Sequence, residues 1–533
     1  MKDIIKHFFK RQLSIYPKHY QKPICNVKEQ LSTAKCQNEI SVKGENVSKS
    51  IWDFIKMPKV VIIGAGMSGL SAAQSLFKSG LKDFVVLEAT NRPGGRIHSC
   101  WLGNLVAEMG AQLIYGDSLS NPVFTLACQE GLIKSLNHSG NLNSSLFLTS
   151  DGRAIDPILN SSLYKMFKQI EHQAYSLFTL NSSQSNESLM NFFSNRIKQE
   201  LQNFPENQRY DIARVMFGLT NTIRNRWGVD LAQMSAYHYG CSVKNTNSNI
   251  IIPQGFVGIL APLIQEIPAN CVKYSKPVKT ISWCPTEKNL DKAVVQCDDG
   301  EEFLADYVIV TVSLGVLKTQ FDKLFTPALS GEKLEAVKKL GYGCINKIFM
   351  EYKKPFWVEG EGNVVLSWSS DELNEKGDWV KGISFLGEVP GSKHVMQVNV
   401  TGPEAVIIEE LSDNDIAEDM TCLLCKFTGD LTLPYPSNIL KTKWSSDPYF
   451  VGASSYMALD STIGQQYDLG MPLCPNNGEA GPVILFAGEA TCPEHFATVQ
   501  GARFSGIREA ERIIQFAKDK LESGENQAAN RSP

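Results

Sequence analysis

The sequence predicts an α/β fold, and three neighbouring features indicate it. Residues 59–63 form an apolar run rich in β-branched side chains, which is typical of a buried parallel strand. The segment Gly64-Ala-Gly-Met-Ser-Gly69 follows at once, and residues 70–79 then have helical spacing. A second apolar strand over residues 84–87 ends on Glu88. A strand, a glycine-rich turn, a helix and a strand in this order predict a Rossmann-like nucleotide-binding domain.

Each part of this fingerprint has a physical role. Gly64 permits the tight turn, Gly66 lets the backbone approach a pyrophosphate, and Gly69 lets the helix pack closely on the strand. The free N–H groups and the dipole of the helix N-terminus favour phosphate. Glu88 lies at the spacing expected for an acid that binds ribose hydroxyls. The alternative is a glycine-rich turn of the core, but the flanking elements and the acid favour a dinucleotide site.

A second glycine-rich loop, Arg92-Pro-Gly-Gly-Arg96, comes just after Glu88. Two glycines between arginines predict a second phosphate-approach loop, in which Arg96 bridges pyrophosphate oxygens. The alternative is a solvated turn with two surface arginines.

Length and charge limit the classes of function. A chain of 533 residues is too long for one compact domain, so two domains are expected. The net charge of −4 makes nucleic acid an unexpected partner. Residues 1–57 carry 11 Lys/Arg and 5 Asp/Glu, a net +6, so the remainder carries −4 − 6 = −10. An acidic body is compatible with a cationic substrate without requiring one.

The 13 cysteines contain a single CxxC pair, Cys422 and Cys425, in a predicted helix with no second cysteine or histidine pair nearby. No metal site is therefore expected, and we interpret the pair as small buried hydrophobic residues. Unpaired thiols fit an intracellular compartment.

The ends of the chain bear on its location. Residues 1–57 are predicted to be a disordered extension, with a targeting helix near the start as the alternative. Residues 518–533 are polar, and no stretch has the length and hydrophobicity of a transmembrane anchor. The final tripeptide Arg531-Ser532-Pro533 is not the usual peroxisomal address. We expect a cytoplasmic protein, with peroxisome or mitochondrion as alternatives.

Several motifs, in order, resemble the flavin-containing amine oxidase family, and within it the polyamine and spermine oxidase branch. They are the two glycine-rich loops, Gly341-Tyr-Gly-Cys-Ile-Asn-Lys347-Ile-Phe, Pro355-Phe-Trp357, Trp444-x-x-Asp-Pro-Tyr449 and Phe486-Ala-Gly-Glu-Ala-Thr491. The resemblance covers about residues 58–515.

The resemblance implies a Rossmann-like FAD-binding domain with an interleaved α+β substrate-binding domain, the architecture shared with p-hydroxybenzoate hydroxylase. Both domains are predicted to be discontinuous. Residues 58–155, 250–315 and 470–517 form the FAD-binding domain, residues 156–249 and 316–469 the substrate-binding domain, and residues 518–533 a tail.

The resemblance also implies the FAD contacts, which are Gly64, Gly66, Gly69, Glu88, Arg96, Gln112, Leu113, Ile114, Tyr115, Val278, Glu489, Thr498 and Val499. The positions are physically reasonable, since Glu489 ends a buried strand at the edge where α/β sheets bind ligands. Thr498 and Val499 precede a helix whose dipole favours the negative charge of reduced flavin. No cysteine lies between Cys425 and Cys474, where relatives attach flavin covalently, so FAD is expected to bind non-covalently.

Lys347 resembles the lysine of the amine oxidase family that holds a water against flavin N5, and it is the predicted catalytic residue. A lysine inside an apolar strand is costly unless it is partnered, which favours function over a snorkelling surface lysine. Trp444 and Tyr456 are candidate aromatic walls for an amine, with ordinary core packing as the alternative.

The substrate side departs from the family pattern. Tyr115 stands where polyamine-oxidising relatives tend to place His or an acid, and Phe496 where a tyrosine is common. Ile345 and Gln500 are also unusual, and residues 235–240 lack an expected acid. Tyr115 and Phe496 are therefore candidate specificity residues.

The expected function is an FAD-dependent oxidase of amines that uses O2 and yields an aldehyde, a shorter amine and hydrogen peroxide. Polyamines (spermine, spermidine or their N1-acetyl forms) are the favoured substrates. One alternative is a monoamine or L-amino acid oxidase. The L-amino acid oxidase would need an arginine for the substrate carboxylate, and Arg224 or Arg503 cannot be placed there from the sequence. Another is an FAD-binding scaffold with little turnover. The sequence leaves the oligomeric state open.

Overall fold

The fold is described by a computed structural model that covers residues 57–133, 145–180, 186–242, 249–283, 293–329, 331–358, 362–374, 377–475 and 481–529. The expectations for residues 1–56 lie outside the described residues. Among the described helices, none combines the length and apolar composition that a membrane span requires.

The strands in chain order are β1 (Val60–Ile63), β2 (Phe84–Leu87), β3 (Ser99–Leu102), β4 (Leu105–Glu108), β5 (Leu113–Tyr115), β6 (Leu146–Thr149), β7 (Asn249–Ile251), β8 (Val272–Lys273), β9 (Val278–Ser282), β10 (Ala293–Cys297), β11 (Glu302–Ala305), β12 (Tyr307–Val310), β13 (Phe325–Thr326), β14 (Gly341–Gly343), β15 (Ile345–Glu351), β16 (Val364–Ser367), β17 (Phe385–Glu388), β18 (Val395–Thr401), β19 (Asn438–Lys441), β20 (Ser454–Tyr456) and β21 (Ile484–Phe486).

The α-helices are α1 (Met67–Lys78), α2 (Pro122–Gln129), α3 (Pro157–Thr179), α4 (Leu189–Leu201), α5 (Glu206–Thr222), α6 (Arg224–Trp227), α7 (Ala261–Glu266), α8 (Leu314–Leu324), α9 (Gly331–Lys339), α10 (Ser370–Asn374), α11 (Pro403–Glu410), α12 (Asp413–Thr428), α13 (Ile463–Gly470) and α14 (Val499–Ala529).

A five-stranded parallel sheet in the order β21-β12-β1-β2-β8 confirms the predicted α/β fold. Val60 of β1 pairs with Tyr307 on one side and with Phe84 on the other. Every residue of β1 is buried, as its apolar run predicts for a central parallel strand. The carboxyl ends of β1, β2, β12 and β21 therefore meet at one edge of this sheet.

A six-stranded sheet in the order β19-β15-β18-β17-β16-β6 forms the second layer. Its strands pair antiparallel except β6, which runs parallel to β16. Among the described residues between 157 and 227, helices α3 to α6 follow one another, and α5 packs on β16. The second sheet thus presents β15, the strand of Lys347, toward the first domain.

Two predicted boundaries differ from the structure. Strand β6 lies within residues 58–155, assigned to the FAD-binding domain, yet it pairs with β16 of the six-stranded sheet. The last helix begins at Val499 and continues to Ala529, so the polar segment from residue 518 extends the helix rather than forming a separate tail. The predicted division into two domains otherwise stays a prediction.

Candidate cofactor and amine site

A cavity of about 960 Å³ lies between the carboxyl edge of the parallel sheet and the six-stranded sheet. The structure brings to its wall most of the residues that the sequence proposed, namely Gly64, Gly66, Glu88, Arg96, Gln112, Leu113, Tyr115, Val278, Lys347, Trp444, Glu489, Thr498 and Val499. They come from positions as far apart in the chain as 64 and 499, so only the folded protein assembles them.

Four proposed residues are not part of this wall. A side chain at Gly69 would overlap the carbonyl oxygen of Gly64, so Gly69 allows α1 to pack against the turn. Ile114 is buried on β5, where it pairs with Ile250. Tyr456 donates its hydroxyl to Gln233, and Phe496 packs on Trp227. Tyr456 therefore does not form the aromatic wall of this cavity that the sequence suggested, and Phe496, named as a specificity residue, is not among the described residues that line it.

The two glycine-rich loops meet at the start of α1. The Gly94 amide donates to the Ala65 carbonyl over 2.8 Å, and Gly66 forms a β-bridge with Gly94. Gly64 has a φ of 103°, and a side chain there would press on the Thr311 hydroxyl. No side chain caps the N-terminus of α1, whose Gly66 N-cap lines the cavity. This end of the cavity is suited to a pyrophosphate.

Glu88 is fixed at the carboxyl end of β2. Its Oε2 accepts a 2.7 Å hydrogen bond from the Ala65 amide, and its Oε1 accepts from the amide and hydroxyl of Thr90. The carboxylate is buried at the wall of the cavity with its orientation set by three donors. It can still accept hydrogen bonds from vicinal hydroxyls, because a carboxylate offers about four acceptor positions.

Glu489 connects three separate segments at the centre of the cavity. Its Oε1 forms a 2.9 Å ion pair with Arg96, and its Oε2 accepts from the Ser455 hydroxyl at 2.5 Å and the Ala497 amide at 2.9 Å. Arg96 also donates to the Ala453 carbonyl over 2.6 Å. Burial opposes the charge of Arg96, but Tyr342 and Glu489 more than compensate and raise its pKa.

Lys347 is a buried, fully partnered lysine. Its Nζ donates to the carbonyls of Glu108 and Gly110, each at 2.7 Å, and to Gln112 Oε1 at 2.6 Å. Burial lowers the pKa of Lys347 to about 8, although the charge of Glu108 opposes that shift. Burial likewise raises the pKa of Glu108. With 6% exposure, Lys347 is not a snorkelling surface lysine.

Trp444 is both a core residue and a wall of the cavity. Its Nε1 donates to the Met109 carbonyl over 3.0 Å, and its ring meets Phe450 edge to face at 5.0 Å. These contacts hold the indole rigidly beside the segment that binds Lys347.

Sequence reasoning missed Arg226, which lines the cavity with Asn225 and Asn399. The two arginines that it named are used elsewhere: Arg224 pairs with Glu404 at 3.0 Å, and Arg503 donates to Ser71 and Gln74. Residues two apart on a helix point in nearly opposite directions. The alternation Arg224-Asn-Arg226 on α6 was therefore the available signal that one arginine faces inward while the other faces out.

The cavity fits FAD. It offers a helix N-terminus beside two glycine-rich loops, an acid at the end of the second strand, and an arginine between the sheets. No cysteine is among the described residues that line it, in agreement with non-covalent binding. Cys422 is exposed and Cys425 half-buried, so the expectation that this pair is buried was wrong. The described residues contain no cluster of three metal-ligating side chains.

Comparisons with known proteins agree with this site. The profile of the family described as flavin containing amine oxidoreductase matches residues 67–514. A Bos taurus protein named peroxisomal N(1)-acetyl-spermine/spermidine oxidase is 31% identical over 488 residues, which cover 86% of this chain and 94% of the relative. Its Homo sapiens namesake is 32% identical over 491 residues, 86% of this chain and 95% of the relative.

A Drosophila melanogaster relative, protein anon-37Cs, is 32% identical over 480 residues, which cover 87% of this chain and 92% of the relative. Among solved structures, a putrescine oxidase redesigned for cofactor binding has the same fold, with a TM-score of 0.62 and 19% identity over 86% of this chain and 99% of its own. The family match, the relatives and the cavity lead to one conclusion, that this chain belongs to the flavin-containing amine oxidoreductases.

Proposed function

We propose that the chain oxidises amines of the polyamine type at the end of the cavity beside Lys347. It is an FAD-dependent amine oxidase, and the names of its mammalian relatives indicate acetylated spermine and spermidine as the substrates to test first. The observation that carries the proposal is the buried Lys347, held by three acceptors at the wall of a cavity suited to FAD.

Bound FAD supplies the oxidising chemistry, which removes a hydride from the carbon beside a neutral amine nitrogen, leaves an imine for hydrolysis, and passes the electrons to O2 as hydrogen peroxide. The chain binds and orients the amine. Trp444 and Tyr115 provide aromatic faces that exclude water from the reacting carbon. Lys347 Nζ is held at the cavity wall by Glu108, Gly110 and Gln112, and it would hold a water in place of one of these three hydrogen bonds, because an ammonium has only three donors.

In our proposal, Arg96 and Glu489 hold the cofactor rather than the substrate. Arg96 lies beside the glycine-rich loops and is available to pyrophosphate oxygens. Glu489 positions Arg96 and the Ala497 amide just before α14. The N-terminus of α14, with Thr498 and Val499 at the cavity wall, favours negative charge on the cofactor ring.

The decisive test is anaerobic mixing of the FAD-loaded protein with single amines while the flavin absorbance is followed. The panel contains spermine, spermidine, N1-acetylspermine, a monoamine and several L-amino acids. Rapid bleaching by a polyamine or its acetylated form supports the proposal. Bleaching by monoamines or amino acids alone would reassign the substrate, and bleaching by dithionite alone would favour the scaffold alternative.

The compartment stays a prediction. The names of the two mammalian relatives place those proteins in the peroxisome. Fractionation of cells that express the full chain would test the cytoplasmic expectation against a peroxisomal one.

A further inference from the structure

Arg226 lies in the part of the cavity that also holds Lys347. Its guanidinium lies 5.9 Å from the ring centre of Tyr115, and Tyr115 follows Gln112, the acceptor for Lys347, by three residues. Three residues of extended chain span about 10 Å. Gly228, just after α6, packs against Ile345, two residues before Lys347 on β15. Arg226 and Lys347 thus bound the same space from two sides.

The surrounding aromatic residues fix the position of Arg226. Its Nη1 donates to the Tyr175 hydroxyl over 3.0 Å, and Tyr175 stacks on Tyr239 with ring centres 4.5 Å apart. The guanidinium also lies 5.0 Å from the ring centre of Trp227, which packs on Phe496. Aromatic faces stabilise a cation without neutralising it. The side chain remains exposed and lines the cavity, so its exposed surface faces the cavity.

The acids at the cavity wall are engaged elsewhere. Among the described lining residues they are Glu88, Asp298 and Glu489. Glu489 pairs with Arg96, and Glu88 is bound by Ala65 and Thr90. Asp298 follows β10, and its amide donates to the Pro277 carbonyl beside Val278. Glu171 accepts from the Tyr239 hydroxyl at 3.2 Å and is not itself at the wall. Among the described residues, the end of the cavity that we propose for the amine is therefore lined by the cationic side chains of Arg226 and Lys347 and by no carboxylate.

A guanidinium carries five N–H donors, and the Tyr175 hydroxyl takes one from Arg226. The donors that remain belong to a side chain that lines the cavity, and hydrogen bonds from a guanidinium to oxygen acceptors are charge-assisted and about twice as strong as neutral ones. The same charge repels a second ammonium group on the substrate.

We propose that Arg226 is a specificity-determining residue that binds an acceptor oxygen of the substrate, either a carboxylate or an acyl carbonyl, and disfavours amines that place an ammonium there. This inference rests on the proposed amine oxidation at the same site. It explains how a pocket can lack the acids that a free polyamine requires and still select an amine: the far end of the substrate is neutral or negative.

Binding of probes that cannot be oxidised tests the inference independently of turnover. The FAD-loaded protein is titrated with pentanoate, N-propylacetamide and butyltrimethylammonium, and binding is measured by equilibrium dialysis. We expect pentanoate, the amide or both to bind more tightly than the quaternary ammonium ion. Which of the two oxygen ligands binds identifies the acceptor as a carboxylate or an acyl carbonyl. Tighter binding of the cation, or no binding of either oxygen ligand, would overturn the proposal.

Variants of Arg226 provide the second measurement. Arg226→Met should weaken binding of the oxygen ligand by roughly 10- to 100-fold, the range for a hydrogen bond to a charged group. Arg226→Lys keeps the charge but lacks the planar, two-pronged donor geometry of the guanidinium, and it should retain part of the affinity. Arg196→Met, on the exposed face of α4, is the matched control and should leave all three affinities unchanged. Equal affinities in the wild type and Arg226→Met would refute the assignment.

The design separates this inference from the proposed function. If amines bleach the flavin but replacement of Arg226 leaves the affinities for the probes unchanged, the proposed amine oxidation is supported and the proposed role of Arg226 is refuted. If no amine bleaches the flavin but replacement of Arg226 weakens binding of the oxygen ligands, the acceptor-oxygen site is supported and the proposed oxidation is refuted. Retained yellow colour in each variant shows that it still folds around its cofactor.

Discussion

At the scale of single residues, Lys347 is the residue whose replacement we expect to slow the reaction most. Three acceptors in fixed backbone and side-chain positions orient its ammonium group. Lys347→Met keeps an unbranched side chain only one atom shorter but removes these donors. We expect amine-dependent flavin reduction or its reoxidation by O2 to slow by about 100-fold or more, as for other proton-handling groups. Stopped-flow absorbance measures both steps.

Retained FAD distinguishes this effect from a loss of the site. Lys353→Met changes an exposed lysine just beyond β15 and should leave both rates unchanged. Unaltered rates in Lys347→Met would remove this lysine from the mechanism.

We expect a different effect from replacement of Glu489, because this side chain bonds to other residues of the chain and not to the substrate. Glu489→Gln removes the buried, charged partner of the half-buried Arg96 and weakens the links to Ser455 and Ala497. Loss of one member of a buried ion pair costs about 3–5 kcal/mol. We expect FAD to be released much more readily, as measured by the fluorescence of free flavin on dilution. The control is Glu494→Gln, an exposed acid five residues further on, and equal FAD retention in the two variants would contradict the prediction.

Residues with backbone-dictated roles could be read from the sequence, and residues whose role depends on which way a side chain faces could not. Gly64, Gly66 and Glu88 were identified because their spacing defines the turn and the strand end. Tyr456, named as an aromatic wall, lies outside the cavity wall, because an aromatic residue near a strand has no local sign of the side that it faces. Phe496, named from its departure from the family pattern, packs on Trp227 instead. Arg226 was missed because the alternation Arg224-Asn-Arg226 shows that the two arginines face opposite ways but not which of them faces the cavity.

At the scale of elements, a single side chain fastens α9 to the end of α13. Lys333 Nζ donates to the carbonyls of Asp468 (2.6 Å), Leu469 (2.7 Å) and Met471 (2.5 Å). These carbonyls lie at the C-terminal end of α13 and at its C-cap Met471, where carbonyls lack the full set of partners found inside a helix. Burial lowers the pKa of Lys333 to about 7, although Glu509 and Asp468 oppose the shift.

Lys333→Met should therefore destabilise the protein in a pH-dependent way. An unfolded lysine has a pKa of about 10.4, so between pH 7 and that value the native protein holds fewer protons than the unfolded chain. Over this range the free energy of unfolding of the wild type rises with pH through this group; below about pH 7 the cost of burying the charge is present in full. We expect the advantage of the wild type over Lys333→Met to grow from about pH 6 to about pH 9.

Urea unfolding of the FAD-loaded proteins at the two pH values measures that advantage. Lys339→Met, on the same helix, removes an exposed lysine whose partner Glu335 is also exposed. It should show little loss of stability at either pH. An advantage over Lys333→Met that stays constant or shrinks as the pH rises would show that Lys333 does not titrate in this range.

Element type was easier to predict than element limits. The buried strands β1, β2, β12 and β21 were recognisable because apolar runs are required in a parallel sheet. The last helix continues into the segment predicted to be a tail, because polar residues can prolong a helix that is anchored elsewhere, here by packing on α1. The parallel pairing of β6 with β16 joins positions more than two hundred residues apart, and neither strand carries a local sign of it.

For the whole molecule, the cavity between the two sheets couples cofactor binding to stability. Direct links already cross it, such as Arg96 to Ala453 and Trp444 to Met109. FAD would occupy the remaining space, and its site exists only in the folded arrangement. Such a ligand stabilises the native state by about 2.7 kcal/mol when its free concentration is 100 times its Kd. We expect the Tm to rise steadily as FAD is added to the cofactor-depleted protein.

The FAD concentration at which the Tm rises depends on the affinity of the cofactor site. Glu88→Gln removes the charge of the acid at the end of β2 and should shift the rise to higher FAD concentrations, because a neutral amide accepts ribose hydroxyls less strongly. Glu418→Gln, an exposed acid on α12, is the matched control and should follow the wild type. Differential scanning fluorimetry across an FAD series measures all three proteins. If Glu88→Gln followed the wild-type curve, the acid would have no part in holding FAD, and the fingerprint would rest on the glycine-rich loops and the dipole of α1 alone.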